Sequence, residues 1–104
     1  MKPLSNDISA SELKEKLSNG VQVHIIDVRE QLEFHTYNIG GLNIPLGTLG
    51  QELEELEFEK EEEIVMVCQR GLRSETARRL MAANGFINVR NLTGGLLAYR
   101  RTDL

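Results

Sequence analysis

The spacing of apolar positions changes several times along the chain, and each change marks an element. Ser9 with Glu12 three residues on forms a capping-box pattern, and Leu13 and Leu17 lie one turn apart before Gly20, which predicts a short amphipathic helix over 10–18. Val21 to Val28 is then a largely apolar, β-branched run, read as a strand covered on both faces with Asp27 near its C-terminal end. Glu30 to Tyr37 is polar and shows no clear period, so it reads as an irregular segment. Asn43-Ile44-Pro45-Leu46 reads as a short extended piece, because the residue before a proline is pushed out of the helical region. Helical spacing returns over Thr48 to Leu56, with Leu49, Leu53 and Leu56 on one face.

The densest apolar run, Ile64-Val65-Met66-Val67, predicts a buried strand that leads directly into Cys68. From Ser74 to Asn84, Ala77, Leu80, Met81 and Asn84 recur at helical spacing, and Gly85 is placed to end that helix. Its Arg78 and Arg79 are expected to face solvent. Phe86 to Leu92 reads as another strand, Gly94-Gly95 as a turn, and Leu96 to Arg101 as a final helical segment. Strands alternating with helices predict an α/β fold with a parallel sheet. Ligands of such sheets gather beyond the carboxyl ends of the strands, where Cys68 lies.

Length and composition narrow the classes. A chain of 104 residues, 40% hydrophobic and 27% charged, is expected to form one globular domain over 1–104 rather than a disordered or fibrous structure. No apolar run approaches the roughly 18 residues of a spanning helix and no leader is evident, so a cytoplasmic protein is expected, with no membrane partner. One cysteine excludes an internal disulfide, and His24 and His35 add no local ligand cluster, which favours chemistry without a metal. Charge is uneven: residues 52–63 hold eight glutamates against Lys60, and residues 64–104 hold seven arginines against Glu75 and Asp103. The acidic stretch reads as a solvated face, with partner docking as the alternative. The basic part is too small and too poor in interleaved aromatics to indicate nucleic acid.

That basic part contains the sharpest chemical signal, Cys68-Gln69-Arg70-Gly71-Leu72-Arg73-Ser74, between a buried strand and a helix. A strand-to-helix turn can curl its backbone N–H groups into a nest at a helix N-terminus, where both hydrogen bonds and the macrodipole favour an anion. Gly71 would permit the curl, and Ser74 would cap or support the helix start. A thiol on the floor of that nest, flanked by Arg70 and Arg73, is expected to react as a thiolate nucleophile. The ordinary alternative is an inert buried cysteine, but two arginines, a glycine and a serine within six residues make little sense as core packing.

With the flanking motifs, the chain resembles a single-domain rhodanese, or sulfurtransferase. The likeness runs from about Ser9 to Arg101 and rests on Ile26-Asp27-Val28-Arg29-Glu30 with Glu33-Phe34, Ile39-Gly40-Gly41-Leu42-Asn43-Ile44-Pro45-Leu46, the Cys68 to Ser74 loop, Gly85-Phe86 and Leu92-Thr93-Gly94-Gly95. Asn38, Val67 and Tyr99 depart from the family's usual residues, and none lies in the loop. The resemblance implies a three-layer domain with a central, mainly parallel sheet flanked by helices. It also implies that Cys68 becomes persulfidated, that Gln69, Arg70, Gly71, Leu72 and Arg73 bind substrate, and that Ser74, Asp27 and Arg29 support the loop.

On this reading a small anionic sulfur donor such as thiosulfate leaves one sulfur on Cys68, and a thiol or protein acceptor removes it, with no cofactor and in a monomer. The alternative within the family is a carrier or regulatory module with little turnover of its own. Cysteine phosphatases use a related nest but place five residues between cysteine and arginine, whereas four, Gln69 to Leu72, stand here before Arg73. Among other residues, His24 is read as a packed structural histidine, His35 as a surface residue, and Leu46, Leu49 and Leu72 as packing residues. Asp27 is read as hydrogen-bonding support for the site, with a plain helix cap as the alternative, and Arg100 and Arg101 as solvated helix-end charges.

Overall fold

Five strands lie side by side in the order β1-β5-β4-β2-β3, and every neighbouring pair is parallel. This computed structural model describes residues 6–103. In chain order the elements are β1 (Asp7–Ile8), α1 (Ala10–Ser18), β2 (His24–Asp27), α2 (Gln31–Thr36), β3 (Leu42–Asn43), α3 (Leu46–Glu52), a 3₁₀ turn (Leu53–Glu55), β4 (Ile64–Val67), α4 (Leu72–Ala83), β5 (Val89–Leu92) and α5 (Gly95–Arg101). β4 sits at the centre, registered to β2 through Ile25↔Val65 and to β5 through Val65↔Arg90. The expected α/β class and parallel sheet are therefore present.

Side chains alternate across this sheet, so each strand feeds two cores. One face carries Ile26, Ile64, Met66 and Val89 against Leu49, Ala77, Met81 and Phe86. The other carries Ile8, Ile25, Val65, Val67 and Leu92 against Ala10, Leu13 and Leu96. Helices thus cover both faces, and the strands read as continuous apolar runs because both of their faces are buried.

Several boundaries differ from the sequence reading, each for a physical reason. The segment read as irregular, 30–37, contains helix α2: Glu30 N–H donates to the Glu33 carboxylate at 3.0 Å, and no α2 residue is buried, so no apolar stripe advertises it. Strand β2 starts only at His24, because Val21 N–H still caps α1 by donating to the Lys16 carbonyl. β5 starts at Val89, since Phe86 and Ile87 spend their N–H groups on Met81 and Lys60 carbonyls. The helix read from Thr48 begins at Leu46, directly after Pro45, and tightens into the 3₁₀ turn before Leu56. β1 was not anticipated; it is two residues long and defined by its pairing with Asn91 and Leu92. The Ser9 cap is as expected, accepting from Glu12 N–H at 3.1 Å.

Two charge assignments also change. Arg78 does not face open solvent; it lies half-buried in a two-bond pair with Glu75, while Arg79 remains exposed. Within the acidic stretch, Glu63 is held by buried Arg90 at 2.8 Å, and Glu12 binds the same guanidinium at 3.1 Å, joining α1 to β5.

Candidate active site

At the carboxyl end of β4 the chain runs through Cys68, Gln69 and Arg70, then turns at Gly71 into α4. Gly71 has φ of 91°, in the left-handed region, and an added Cβ would stand 3.1 Å from Gly94 N and 3.2 Å from the Leu92 carbonyl oxygen. Only glycine suits that position. Its N–H donates to Cys68 Sγ at 3.1 Å, and the Ser74 N–H, an otherwise unpaired donor in the first turn of α4, donates to the same sulfur at 3.2 Å.

The loop carbonyls face the other way. Leu96 N–H donates to the Cys68 carbonyl at 2.9 Å and Leu97 N–H to the Gln69 carbonyl at 3.1 Å, so the start of α5 satisfies the loop from behind. That approach requires Gly95, whose φ is 64° and whose hypothetical Cβ would collide with the Cys68 and Gln69 backbone. N–H groups therefore converge on the sulfur while the loop carbonyls are drawn away from it. This stabilises negative charge at Sγ, as does its place at the N-terminus of a 12-residue helix.

Cys68 is only 1% exposed, so its sulfur forms the floor of a recess of about 260 Å³ lined by Gln69, Arg70, Leu72 and Arg73. Of the expected substrate-binding residues, Gln69 also faces a second hollow, which Arg29, Leu32, Glu33, Tyr37 and Arg100 line. Arg70 is exposed at the rim. Arg73 is committed to a bidentate pair with Glu33, at 2.8 and 3.0 Å, across to α2. Hydrogen bonding by Arg73 holds the Glu33 carboxyl at about 2, far below its ordinary 4.5, against the opposing effect of partial burial. The same hydrogen bond raises the pKa of Arg73. Leu72, read as a packing residue, is 76% exposed, because the first turn of α4 presents it to the recess rather than to the core.

Asp27 and Arg29 are both buried, and they form one unit. The Asp27 carboxylate accepts from Arg29 backbone N–H at 3.1 Å, from Nε at 3.0 Å and from a terminal nitrogen at 2.8 Å; that nitrogen also donates to the Tyr37 carbonyl at 2.6 Å. The pair ties the end of β2 to the end of α2, which carries Glu33 and so reaches Arg73. Asp27 caps no helix; Glu30 precedes α2.

Ser74 Oγ lies 3.2 Å from Cys68 Sγ and donates to Asn91 Oδ1, and Asn91 Nδ2 donates to the Gly71 carbonyl at 3.1 Å. Asn91 was not singled out from the sequence, and Glu33 entered only as part of the Glu33-Phe34 motif. Asn91 had one legible signal: it is polar at a strand position on the same face as core residue Val89. Glu33 had none beyond its motif, since only the tertiary fold brings it to Arg73. Arg100, read as a solvated charge, places its guanidinium 4.4 Å from the centre of the Tyr37 ring. His24 is at the opposite end of β2, half-buried beside Phe58 and 3.7 Å from Glu62, and His35 is exposed on α2. Among the described residues no cluster of His, Cys, Asp and Glu is arranged to hold a metal, and no helix is long and apolar enough to cross a membrane.

The Rhodanese-like domain profile matches residues 9–102, nearly the whole chain. The chain belongs to the rhodanese-like domain family. It is 33% identical over 94 residues to the putative sulfurtransferase YtwF of Bacillus subtilis, covering 89% of this chain and 88% of that protein. To the putative sulfur carrier protein YrkF of the same organism it is 36% identical over 91 residues, 86% of this chain but 48% of YrkF, so it spans about half the length of that relative. The human single-domain sulfurtransferase TSTD1 superposes with a TM-score of 0.85 at 25% identity, covering 97% of this chain and all of that one. The rhodanese-like fold puts the Cys68 loop at the end of the central strand, where backbone donors from α4 reach it.

Proposed function

We propose that this rhodanese-like chain is a sulfurtransferase that carries sulfane sulfur on Cys68. The observation that carries the reading is the sulfur itself: Sγ sits on the floor of a recess and accepts two backbone N–H groups, from Gly71 and Ser74. In the first step the Cys68 thiolate attacks the outer sulfur of a donor such as thiosulfate. The S–S bond of the donor breaks, sulfite departs with its electron pair, and a Cys68 persulfide remains. In the second step a thiophilic acceptor attacks the terminal sulfur and the Cys68 thiolate leaves, which is ping-pong covalent catalysis. Backbone donors stabilise the anionic sulfur in both displacements.

Arg70, exposed at the rim, suits an anionic donor. Arg73, held by Glu33, contributes by keeping α2 against the loop and by its charge near the sulfur. The likeness to YrkF, named a putative sulfur carrier, favours a second reading in which the persulfide forms but small acceptors remove it slowly.

Intact mass after incubation with thiosulfate, then cyanide, tests both readings. A gain of about 32 Da, one sulfur atom, that is absent from Cys68→Ala and removed by cyanide is the expected result. A stable adduct that cyanide removes slowly selects the carrier. No adduct with thiosulfate, glutathione persulfide or polysulfide overturns sulfur transfer.

A further inference from the structure

Behind the reactive sulfur lies a buried polar side chain that the transfer mechanism does not use. Asn91 projects from β5 toward the start of α4 and is 7% exposed. Its orientation is unambiguous: the Gly71 carbonyl can only accept, so the Nδ2 atom 3.1 Å away must be the donor. Oδ1 therefore faces Ser74, and the hydroxyl's single proton points at Asn91. What Ser74 turns toward Cys68 Sγ, 3.2 Å away, is a lone pair.

This closes a ring of donors in the thiol state: Sγ–H to Ser74 Oγ, Ser74 to Asn91, Asn91 to the Gly71 carbonyl, and Gly71 N–H back to Sγ. Loss of the thiol proton breaks the ring. The anionic sulfur then faces a hydroxyl oxygen, and it gains that hydroxyl as a donor only if Ser74 swings its proton away, leaving buried Oδ1 without one. We propose that Asn91 is a positioning residue that competes with Cys68 for the Ser74 proton, and so sets the pH at which Cys68 becomes reactive and keeps its thiolate strongly nucleophilic. The inference deepens the sulfurtransferase reading in that it assigns a residue governing the same nucleophile.

Replacing Asn91 by leucine, close in size but without the acceptor, releases the Ser74 proton to the sulfur. A hydrogen bond to a charged group gained in this way supports about ten-fold more thiolate at pH values below the midpoint, a factor equivalent to about 1.4 kcal/mol. Nucleophilicity falls with thiolate basicity at a Brønsted slope of about 0.4–0.5, so each thiolate becomes about three-fold slower. The net expectation is a crossed pH profile: Asn91→Leu reacts about three-fold faster than wild type at low pH and about three-fold slower at high pH. The charged groups lining the recess and the hollow beside Gln69 are Arg70, Arg73 with its partner Glu33, Arg29 with its partner Asp27, and Arg100, and the substitution leaves all of them in place.

The experiment is the rate of Cys68 alkylation by iodoacetamide across pH, in which the sulfur displaces iodide. It needs no sulfur donor, so it reads the thiol whether or not the protein transfers sulfur, and failure of the two proposals is distinguishable. The crossing should appear in Asn91→Leu and vanish when the same change is made on Ser74→Ala. Asn91→Asp retains the acceptor and adds negative charge, and its profile should move to higher pH. Mere loss of the Gly71 anchor would remove a donor from the sulfur and move both Asn91 variants to higher pH, which would overturn the proposal, as would an unchanged Asn91→Leu profile. Should Asn91→Leu not fold by circular dichroism, the test passes to the wild-type Asn91 side-chain amide resonances. These should titrate at the alkylation midpoint, and their invariance overturns the proposal.

Discussion

Substitution of Gly95 by alanine probes the contact that holds the Cys68 loop in shape. The new Cβ would lie 2.5 Å from the Cys68 carbonyl oxygen and nearer still to that of Gln69, and both atoms are backbone, so no side chain can rotate aside. Two costs follow. An alanine at φ of 64° pays roughly 1 kcal/mol for the left-handed conformation. Relieving the collision also separates α5 from the loop and weakens the Leu96 and Leu97 hydrogen bonds to those carbonyls, at about 1 kcal/mol each. The total, about 3 kcal/mol, is a large part of the 5–15 kcal/mol typical of a folded domain. Gly20→Ala is the matched control: its φ is 75° but nothing lies within 4 Å of the added Cβ, so only the conformational cost of about 1 kcal/mol applies. Urea unfolding of the two variants isolates the steric part as a difference of about 2 kcal/mol. Alkylation of Cys68 in Gly95→Ala should also lose its wild-type pH profile, because the loop N–H groups no longer converge on the sulfur. Equal destabilisation of the two variants would refute the claim that α5 braces the loop.

Other outcomes follow from the charged pairs. The Glu33 carboxyl lies at about 2 rather than 4.5, so its stabilising contribution is present above the unfolded value and is lost as pH falls from about 4.5 through about 2. Because both side chains of that pair are more than one-third exposed, screening leaves it worth about 1 kcal/mol at most; acid titration should show wild type losing its advantage over Glu33→Gln below pH of about 4, and high salt should shrink it. Replacing buried Asp27 by alanine strands the Arg29 side chain, 4% exposed, and should cost about 3–5 kcal/mol in urea unfolding; a loss under 1 kcal/mol would contradict the tie between β2 and α2.

Much of the fold is legible in local pattern. Ile64 to Val67 reads as a strand buried on both faces, Ser9 with Glu12 marks a helix start, and Ala77 with Met81 marks a helix facing the sheet. Such signals survive because burial imposes a period on the sequence itself. Helix α2 left no such trace: it buries no residue, so its capping contact between Glu30 and Glu33 had no apolar stripe beside it. Strand β1 was equally silent, since two residues are too few to show a period and only their pairing with β5 defines them.

The candidate site divides along the same line. Cys68, the loop to Ser74 and the need for a glycine at 71 follow from consecutive residues, because a strand-to-helix turn is a local object. The direction in which Arg73 spends its charge was decided by Glu33, forty positions earlier, and the proton of Ser74 by Asn91, seventeen positions later. Leu72 reversed its expected place for a similar reason: helical spacing fixes its angle on α4, but only the packing of α4 on the sheet determines which angles face the core. Local sequence thus determined which atoms could do chemistry, while hydrogen bonds between distant segments decided how those atoms are held. Such bonds depend on distances that chain order alone does not set.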